Sequence, residues 1–234
     1  MHRYAIYCAP RVGSDGWLAG SHWLGRCAAH GQPQIPMAVP GIDASRFHAL
    51  TRAPRRYGWH ATLKAPFALA PGVDEARLRK RLHVLAQSLR SFTMPRLKVA
   101  WLDDFLALVP DSDAAQNALQ LGEVAGLCVK TLADLAAPLT PAEIERRRAA
   151  GLTPEEDALL LRWGYPFVFQ RFRFHFSLTG ALHGASKAEV QALMDAAHAL
   201  FDPLPPGRFD TLSLFAEPEP GADFTLLEQV ELQA

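Results

Sequence analysis

The sequence predicts an α+β protein built from two related lobes, each with an antiparallel sheet and helices. Three observations support this prediction. Short alternating or β-branched segments, typical of strands, are interleaved with amphipathic helical segments along the 234-residue chain. The order strand, helix, strand, strand occurs twice, with the first strands of the two sets 115 residues apart. Between the two sets, two capping signals predict an inserted pair of short helices.

The first half begins with an aromatic and β-branched strand at Arg3–Cys8. Helices are predicted over 14–30 and over 43–51, the latter with Asp43 as its N-cap, and the proline-rich stretch 31–42 between them predicts a loop. The first copy of the repeated order follows. It consists of a strand at His60–Leu69, a helix at Asp74–Leu89, and strands at Phe92–Leu102 and Phe105–Val109.

The connection between the two sets is predicted to be helical. A helix is expected over 114–135, and capping boxes at Thr140 and Thr153, each followed by proline, open helices over 141–150 and 154–163. The second set then repeats the order of the first. It consists of a strand at Phe172–Leu182, a helix from Ser186 to Leu200 or Phe201, and strands at Phe209–Ala216 and Phe224–Leu232.

This order predicts a single bilobal domain over 1–234. We place lobe one at about 1–113, the helical connection at about 114–165 and lobe two at about 166–234. Charge is divided along the chain, with a net charge of +7 in residues 1–117 and −7 in residues 118–234. Two halves of opposite charge could attract each other or form a cleft with one basic wall. The alternative interpretation is chance clustering of charges on a solvated surface.

Composition excludes several classes of protein. A formal net charge of zero argues against a generic binder of long nucleic acid, which needs a basic excess. Three cysteines without CxxC spacing suit a reducing compartment and provide neither a metal site nor a disulfide framework. No stretch approaches the roughly 18 apolar residues of a membrane span, and the apolar run at the N-terminus is too short for a signal peptide. We expect a soluble cytoplasmic protein that does not act at a membrane.

The chemistry-bearing pattern is a repeated His-x-Thr/Ser motif. His60-Ala61-Thr62 and His175-Phe176-Ser177 fall on the first strands of the two sets. Because side chains alternate along a strand, each histidine shares a face with its hydroxyl residue. Strict alternation adds Lys64 to the first polar face and Arg173 to the second. The alternative is a pair of half-buried histidines that are satisfied by backbone groups on a sheet face.

Two facing imidazoles provide a general base and a general acid on opposite sides of a reacting centre, which in-line displacement at phosphorus requires. Thr62 and Ser177 would donate hydrogen bonds to the non-bridging oxygens, and Lys64 and Arg173 would offset the phosphate charge. This scheme uses no metal. The chain also contains no GxxxxGK[ST] or GxGxxG loop, so we expect no metal and no cofactor.

These motifs and their surroundings resemble the two-histidine (2H) phosphoesterase superfamily. The similarity is strongest to one branch, a family of unknown function encoded beside carbon–phosphorus lyase genes for phosphonate use, and it covers essentially the whole chain. The segments that carry it are RRYGWHATLKAPF at 55–67, GYPF at 164–167, FRFHFSLTG at 172–180, RYAIY at 3–7 and WLGR at 23–26. The one departure is Ser177, where threonine is common, and the hydroxyl is retained.

The resemblance implies a bilobal α+β fold with a central cleft. It also implies that His60 and His175 are the catalytic pair and that Thr62 and Ser177 bind phosphate. Members of the superfamily open cyclic phosphates, hydrolyse 2′,5′-linkages or ligate RNA. The phosphonate setting suggests that the partner of this protein is a small phosphorylated substrate, a ribose cyclic phosphate. A 2′,5′-RNA ligase or RNA end-processing enzyme and a noncatalytic phosphate-binding module remain as alternatives.

Further substrate contacts are expected from aromatic residues near the motif strands. Tyr4, Tyr57 and Tyr165, together with Tyr7 and Arg56, could hold a sugar or a second phosphate, and packing is the competing reading for the tyrosines. The run Arg146–Arg148 lies on a short predicted helix with Glu143 and Glu145, and is expected to be a solvated face. The role of the inserted helices and the oligomeric state stay open.

Overall fold

The computed structural model describes residues 1–35, 37–111, 115–149 and 151–234. The helices are α1 (Asp15–Leu24), α2 (Ala44–Tyr57), α3 (Glu75–Ala86), α4 (Ala115–Thr131), α5 (Pro141–Arg148), α6 (Pro154–Trp163) and α7 (Lys187–Phe201). The strands are β1 (Arg3–Cys8), β2 (Arg26–Cys27), β3 (Gln32–Pro33), β4 (Ala61–Phe67), β5 (Phe92–Thr93), β6 (Leu97–Leu102), β7 (Phe105–Pro110), β8 (Phe176–Ser177), β9 (Arg208–Phe209), β10 (Thr211–Glu217) and β11 (Thr225–Glu231).

Within the described residues, seven strands form one sheet in the order β11-β10-β1-β4-β8-β7-β6. Neighbouring strands in this sheet are antiparallel, which confirms the predicted α+β class. The two parts of the sheet, β11-β10-β1-β4 and β8-β7-β6, meet where Ala61 of β4 pairs with Phe176 of β8. The two motif strands are therefore the central strands of the sheet.

The hairpins that end the two repeated sets are exchanged across this central pair. The β6–β7 hairpin follows α3 in the chain but pairs with β8, whereas the β10–β11 hairpin follows α7 but pairs with β1. Each part of the sheet thus contains strands that are far apart in sequence. The proposed lobe boundaries, which follow chain order, stay a prediction.

The predicted helix starts agree with the structure. Thr140, Thr153 and Ser186 each accept a hydrogen bond from the backbone of the glutamate three residues later, and each glutamate bonds back to the cap residue. These reciprocal bonds satisfy backbone donors that the first helical turn leaves unpaired. The caps fix the starts of α5, α6 and α7.

Two strands are shorter than predicted. The strand expected over 172–182 is reduced to β8, since Phe169 adopts a left-handed φ of 53° in the turn before it and the backbone leaves the ladder after Ser177. The strand expected over 92–102 is divided into β5 and β6 around Pro95, which lacks the N–H that a ladder needs.

Helix α2 is longer than predicted and contains Pro54 in its interior. Proline cannot donate to the carbonyl four residues earlier, which here belongs to Leu50. That carbonyl instead accepts a hydrogen bond of 2.8 Å from the backbone N–H of Gly180, beyond β8. The helix therefore continues to Tyr57, and the carbonyl that Pro54 leaves free connects α2 to the segment after the second motif.

The other helix boundaries differ by small amounts. Helix α1 ends at Leu24, short of the predicted 30, because Gly25 adopts a left-handed φ of 65°. Helix α4 gives way to a 3₁₀ turn over Ala133–Leu135. Two predicted ends, at 114 and 150, lie outside the described residues.

The side chains of β1 alternate between two apolar clusters. Ile6 and Cys8 belong to the large cluster that packs helices against the sheet. Tyr7, on the opposite face, belongs to a smaller cluster with Phe215 and Phe224. This smaller cluster supports the face of the sheet on which His60, the residue before β4, lies. Among the described helices, none combines the length and the apolar character needed to cross a bilayer.

Candidate active site

The register of the central strands brings the two motifs together. Ala61 and Phe176 are paired and both are 1% exposed, facing the core. In an antiparallel pair, the residues on either side face the opposite way and lie across from each other, so His60 lies opposite Ser177 and Thr62 lies opposite His175. The two histidines occupy one diagonal of this square, a spacing typically of about 7–8 Å.

Both imidazoles are held by the same hydrogen bond. Nδ1 of His60 lies 2.8 Å from the carbonyl oxygen of Gly58, and Nδ1 of His175 lies 2.8 Å from the carbonyl oxygen of Arg173. A carbonyl can only accept, so Nδ1 carries the proton and donates in each ring. Each neutral ring therefore keeps the lone pair on Nε2, and in His60 that atom lies 3.3 Å from the Thr62 hydroxyl.

An aromatic ring supports each histidine from the neighbouring strand. Tyr7 of β1 stacks on His60 with ring centroids 3.7 Å apart. Phe105 of β7 packs against His175 at 5.6 Å. The strands β1 and β7 flank the central pair on opposite sides, so the support follows the same pseudo-symmetry as the motifs.

Both histidine pKa values lie below the ordinary value of 6.5. Burial lowers the pKa of His60 to about 4, the Gly58 carbonyl opposes this change and the charge of His175 adds to it. Burial also lowers the pKa of His175, where the Arg173 carbonyl opposes the change, the charge of Arg173 adds to it and Asp103 opposes it. Both rings are therefore mainly neutral near pH 7 in the free protein.

The motif face opens into two adjoining cavities. A cleft of about 820 Å³ contains His60, Thr62 and Ser177 in its lining. A side cavity of about 280 Å³ contains His175 and Arg173. The residues common to both linings are Thr62, Ala65, Phe105 and Tyr165. The histidines thus lie in neighbouring parts of one depression, separated by shared walls.

Lys64 does not share the face of His60 and Thr62. The pairing of Tyr7 with Thr62 is followed by the pairing of Ile6 with Lys64, so β4 has one extra residue at Leu63. This bulge reverses the alternation that the sequence analysis assumed. Lys64 is 5% exposed, its ammonium lies 4.8 Å from the centre of the Phe67 ring, and burial lowers its pKa to about 8.

Tyr4 and Arg173 also differ from the expected arrangement. Tyr4 faces the large core cluster and its hydroxyl donates a 2.9 Å hydrogen bond to Glu75, away from both cavities. Arg173 lies in the side cavity with His175, as expected, but its guanidinium forms a bidentate pair with Asp103 at 3.1 and 2.5 Å. Its charge is therefore largely compensated in the free protein.

The remaining predicted residues do line the depression. Tyr57 and Ser177 belong to the cleft, and Tyr165 belongs to both cavities. The Tyr57 ring lies 6.0 Å from the His60 ring. Burial raises the pKa of Tyr165, so its hydroxyl stays protonated and able to donate.

Helix α5 contributes two arginines to the cleft that were not predicted as site residues. Arg146 and Arg147 of α5 line the cleft, whereas Arg148 pairs with Asp157 of α6 at 2.7 and 2.9 Å. The expectation of a solvated face is therefore wrong for Arg147, which is half-buried. A sequence signal was present, since positions i, i+3 and i+4 from Glu143 share one helix face.

The described part of the chain contains no cluster of three or more His, Cys, Asp or Glu side chains that could hold a metal ion. Its three cysteines are free and buried. The chemistry that this site offers through its own residues is acid–base and electrostatic.

Comparison with known proteins supports the assignment made from the motifs. Residues 62–225, more than half of the chain, match the family described as "Protein of unknown function (DUF1045)". The chain belongs to this family. The match includes Thr62, His175 and Ser177, and it confirms the sequence-based recognition of a family without an established function.

Two curated relatives carry the name "Ribose 1,5-bisphosphate phosphokinase PhnN". The protein of Janthinobacterium sp. (strain Marseille) is 37% identical over 233 residues, and that of Laribacter hongkongensis (strain HLHK9) is 40% identical over 231 residues. Each alignment includes 98% of this chain but only 51% and 52% of the relatives. The chain therefore spans about half the length of the curated relatives it matches.

Solved structures similar to this DUF1045 protein include E. coli LigT complexed with 3′-AMP, at 16% identity and a TM-score of 0.39. That alignment covers 100% of this chain and 99% of the LigT chain. A structure described as a phosphoesterase is 15% identical, with a TM-score of 0.36 and full coverage of both chains. These scores are too low to carry a conclusion about activity.

Proposed function

We propose that this DUF1045 protein is a metal-independent phosphoesterase that opens a small cyclic phosphodiester. The observation that carries the proposal is the matched pair of imidazoles. Each donates Nδ1–H to a carbonyl two residues earlier and retains Nε2 for proton transfer. Each comes directly before one of two adjacent strands, and both lie beside one depression. A pair of structural histidines would not need the same tautomer on the same face.

In the proposed reaction, one neutral histidine accepts a proton from water at Nε2 while the water oxygen bonds to phosphorus. The bond from phosphorus to one ring oxygen breaks, and the second histidine, protonated, donates a proton to that oxygen. The product is a phosphate monoester with a free hydroxyl. Hydroxyl donors at Thr62 and Ser177 would stabilise the charge on the non-bridging oxygens.

We assign the base role to His60 and the acid role to His175. Burial lowers the pKa of His60 to about 4, so this ring is neutral over most of the pH range. Burial also lowers the pKa of His175; the Arg173 carbonyl and Asp103 oppose that change, and the Arg173 charge adds to it. An anionic phosphate placed between the rings would raise both pKa values and favour a protonated His175.

We infer that the substrate is a ribose cyclic phosphate and that the reaction belongs to phosphonate breakdown. The curated relatives are named for a kinase of ribose 1,5-bisphosphate, which is itself a phosphorylated ribose. The sequence resemblance to the phosphonate branch leads to the same class of substrate. The three buried thiols agree with a reducing compartment, so the expected location is the cytoplasm.

The test is phosphorus NMR of the purified protein in EDTA with ribose 1,2-cyclic phosphate 5-phosphate, the four 2′,3′-cyclic nucleotides and a short 2′,5′-linked RNA. We expect turnover of the ribose compound, reduced at least about 100-fold by His60→Ala and by His175→Ala. His48→Ala, at an exposed position of α2, is the matched control and should retain activity. Near wild-type turnover by either motif variant would contradict the mechanism.

The two alternative functions predict other outcomes of the same experiment. An RNA ligase or end-processing enzyme would act on the RNA and lose activity steeply with salt, because its affinity depends on phosphate contacts. A noncatalytic binding module would bind a cyclic phosphate without turning it over. The retention of both imidazoles with the same tautomer favours the catalytic reading over the binding module.

A further inference from the structure

Helix α5 contributes basic side chains to the cleft that the acid–base mechanism does not use. Arg146 and Arg147 join Arg3 and Arg56 in its lining. Among the described residues of that lining, Glu143 is the only one with a carboxylate. In the proposed reaction, Thr62 and Ser177 donate hydrogen bonds to both non-bridging oxygens of the cyclic phosphate monoanion. The positive charge of α5 is therefore available for another anionic group.

The four arginines differ in whether their charge is compensated. Arg3 and Arg56 both pair with the buried carboxylate of Glu217. Arg146 is exposed. Arg147 is half-buried, and its Nε is a buried donor with no hydrogen-bond partner among the described residues. A buried donor without a partner costs free energy, so the Arg147 guanidinium is incompletely satisfied in the free protein and an anionic acceptor in the cleft would stabilise it.

The surroundings of Arg147 define where that acceptor would lie. Its guanidinium carbon lies 5.5 Å from the centre of the Tyr165 ring, which lines both the cleft and the side cavity of His175. Burial lowers the pKa of Arg147, Tyr165 and Glu143 oppose this change, and the positive charges of Arg146 and Arg3 add to it. Glu143 is the nearby counter-charge, and one of its carboxylate oxygens accepts both cap hydrogen bonds from Thr140, at 2.8 and 2.9 Å.

We propose that Arg147, assisted by Arg146, forms a second anion subsite that binds a phosphate monoester on the same small substrate whose cyclic phosphate reacts between the histidines. The proposal rests on the proposed function and extends it. A dianionic phosphate in the cleft matches the guanidinium fork, supplies hydrogen-bond acceptors and relieves repulsion among Arg146, Arg147 and Arg3. The inserted helix would then select doubly phosphorylated substrates.

The experiment compares ribose 1,2-cyclic phosphate with and without a 5-phosphate. The quantity measured is the ratio of kcat/KM for the two compounds, which isolates the contribution of the second phosphate. We expect a ratio of about 10 to 100 in the wild type, and a ratio near one in Arg147→Gln. Arg147→Lys, which keeps the charge but not the fork, should retain part of the preference.

The matched control is Arg148→Gln on the same helix. Arg148 forms surface ion pairs with Asp157 and Glu145, so its variant should keep the wild-type ratio. Thermal unfolding verifies that each variant is folded. Loss of turnover in His175→Ala would support the proposed function. If the kcat/KM ratio of the two compounds were nevertheless the same in the wild type and in Arg147→Gln, the subsite would be overturned and the proposed function would stand.

If neither compound is turned over, the proposed function fails and calorimetry with the same two compounds still decides the subsite. Tighter binding of the 5-phosphorylated compound to the wild type, lost in Arg147→Gln, would support the subsite. Equal binding of the two compounds to the wild type would overturn it.

Discussion

At the scale of single residues, the backbone carbonyls before the two histidines set the protonation pattern of the site. Gly58 and Arg173 accept from Nδ1 and thereby select the tautomer that keeps Nε2 available. Gly58 has a φ of 78°, and a Cβ there would lie 2.6 Å from the Cβ of Ala28. The turn that aims this carbonyl at His60 therefore requires glycine.

The histidine pKa values predict the pH dependence of kcat/KM. The base must be neutral, so activity should rise as pH increases through about 4, the pKa of His60. The acid must be protonated, so activity should fall as pH increases through the pKa of His175, which lies below 6.5. Exchanging the base and acid roles of the two histidines gives the same bell-shaped pH profile, because kcat/KM reports the ionisations of the free enzyme.

The measurement is kcat/KM over a range of buffers at constant ionic strength. His48→Ala should reproduce the wild-type curve. A profile that stays flat from about pH 5 to pH 8 would show that neither histidine transfers a proton in the rate-determining step.

At the scale of elements, the motif strands are positioned from behind by aromatic packing. Trp59 precedes His60 and stacks on Phe176 and Phe201, with centroids 5.1 Å away in both cases. Helix α1 closes over this stack through Gly20, where a Cβ would lie 2.0 Å from the Trp59 ring. The absence of a side chain at Gly20 therefore lets α1 pack directly on Trp59, the residue before His60.

We predict that Gly20→Ala destabilises the protein although alanine is the better helix former. Helix propensity alone would stabilise the variant by about 1 kcal/mol. The clash with Trp59 forces the stack to shift, a change that costs up to about 3 kcal/mol in overpacked cores. Urea denaturation measures the difference, and turnover should fall as well because Trp59 adjoins His60.

Gly16→Ala on the same helix is the matched control. A Cβ there would lie 3.4 Å from Pro10, an ordinary contact, so the variant should be neutral or slightly stabilised. Equal effects of the two substitutions would show that the close approach to Trp59 does not determine the cost.

At the scale of the whole molecule, the opposite charges of the two chain halves attract each other. Basic side chains of the first half pair with acids of the second in many places. These pairs include Arg3–Glu217, Arg11–Asp210, Arg26–Asp223, Arg46–Glu189, Arg79–Glu228 and Arg81–Asp134. The opposite net charges of the two chain halves thus form ion pairs within the fold. Some basic residues of the first half, among them Arg3 and Arg56, also line the cleft.

Glu217 is the most buried of these acids, with a side chain 0% exposed. It pairs with Arg3 of β1 and Arg56 of α2, and it accepts from the backbone of Gly221 at 3.0 Å. We predict that Glu217→Gln lowers the unfolding free energy by about 3 kcal/mol at neutral pH, because it leaves two guanidinium groups without their shared partner. Glu231→Gln, on an exposed pair with Arg11, should cost less than about 1 kcal/mol.

The pH dependence of this difference provides a second check. Burial alone would raise the pKa of Glu217, but hydrogen bonds and charge from Arg3 lower it below the ordinary value of 4.5. A depressed carboxylate pKa stabilises the folded state above that value and loses its effect as pH falls. The deficit of Glu217→Gln measured by denaturation should therefore be constant above pH 4.5 and shrink below it. A deficit that grows on acidification would contradict the assigned pairing.

The sequence by itself determined the local features of this protein. Alternation and helical periodicity located the strands and helices, because burial on one face constrains residue type at fixed intervals. The caps of α5, α6 and α7 were readable since their hydrogen bonds join residues three apart. The two motif histidines were identified for the same reason, as a repeated local pattern on repeated elements.

The tertiary structure decided everything that depends on which segments meet. It exchanged the hairpins across the central strands, and it moved Lys64 to the far face through a bulge at Leu63 that strict alternation does not anticipate. It also turned Tyr4 into the core and Arg147 into the cleft. Pairing partners far apart in the chain set the hairpin exchange and the bulge, so no local pattern carries them. For Arg147 the helical spacing from Glu143 marked the shared face, but only the packing of α5 placed that face in the cleft.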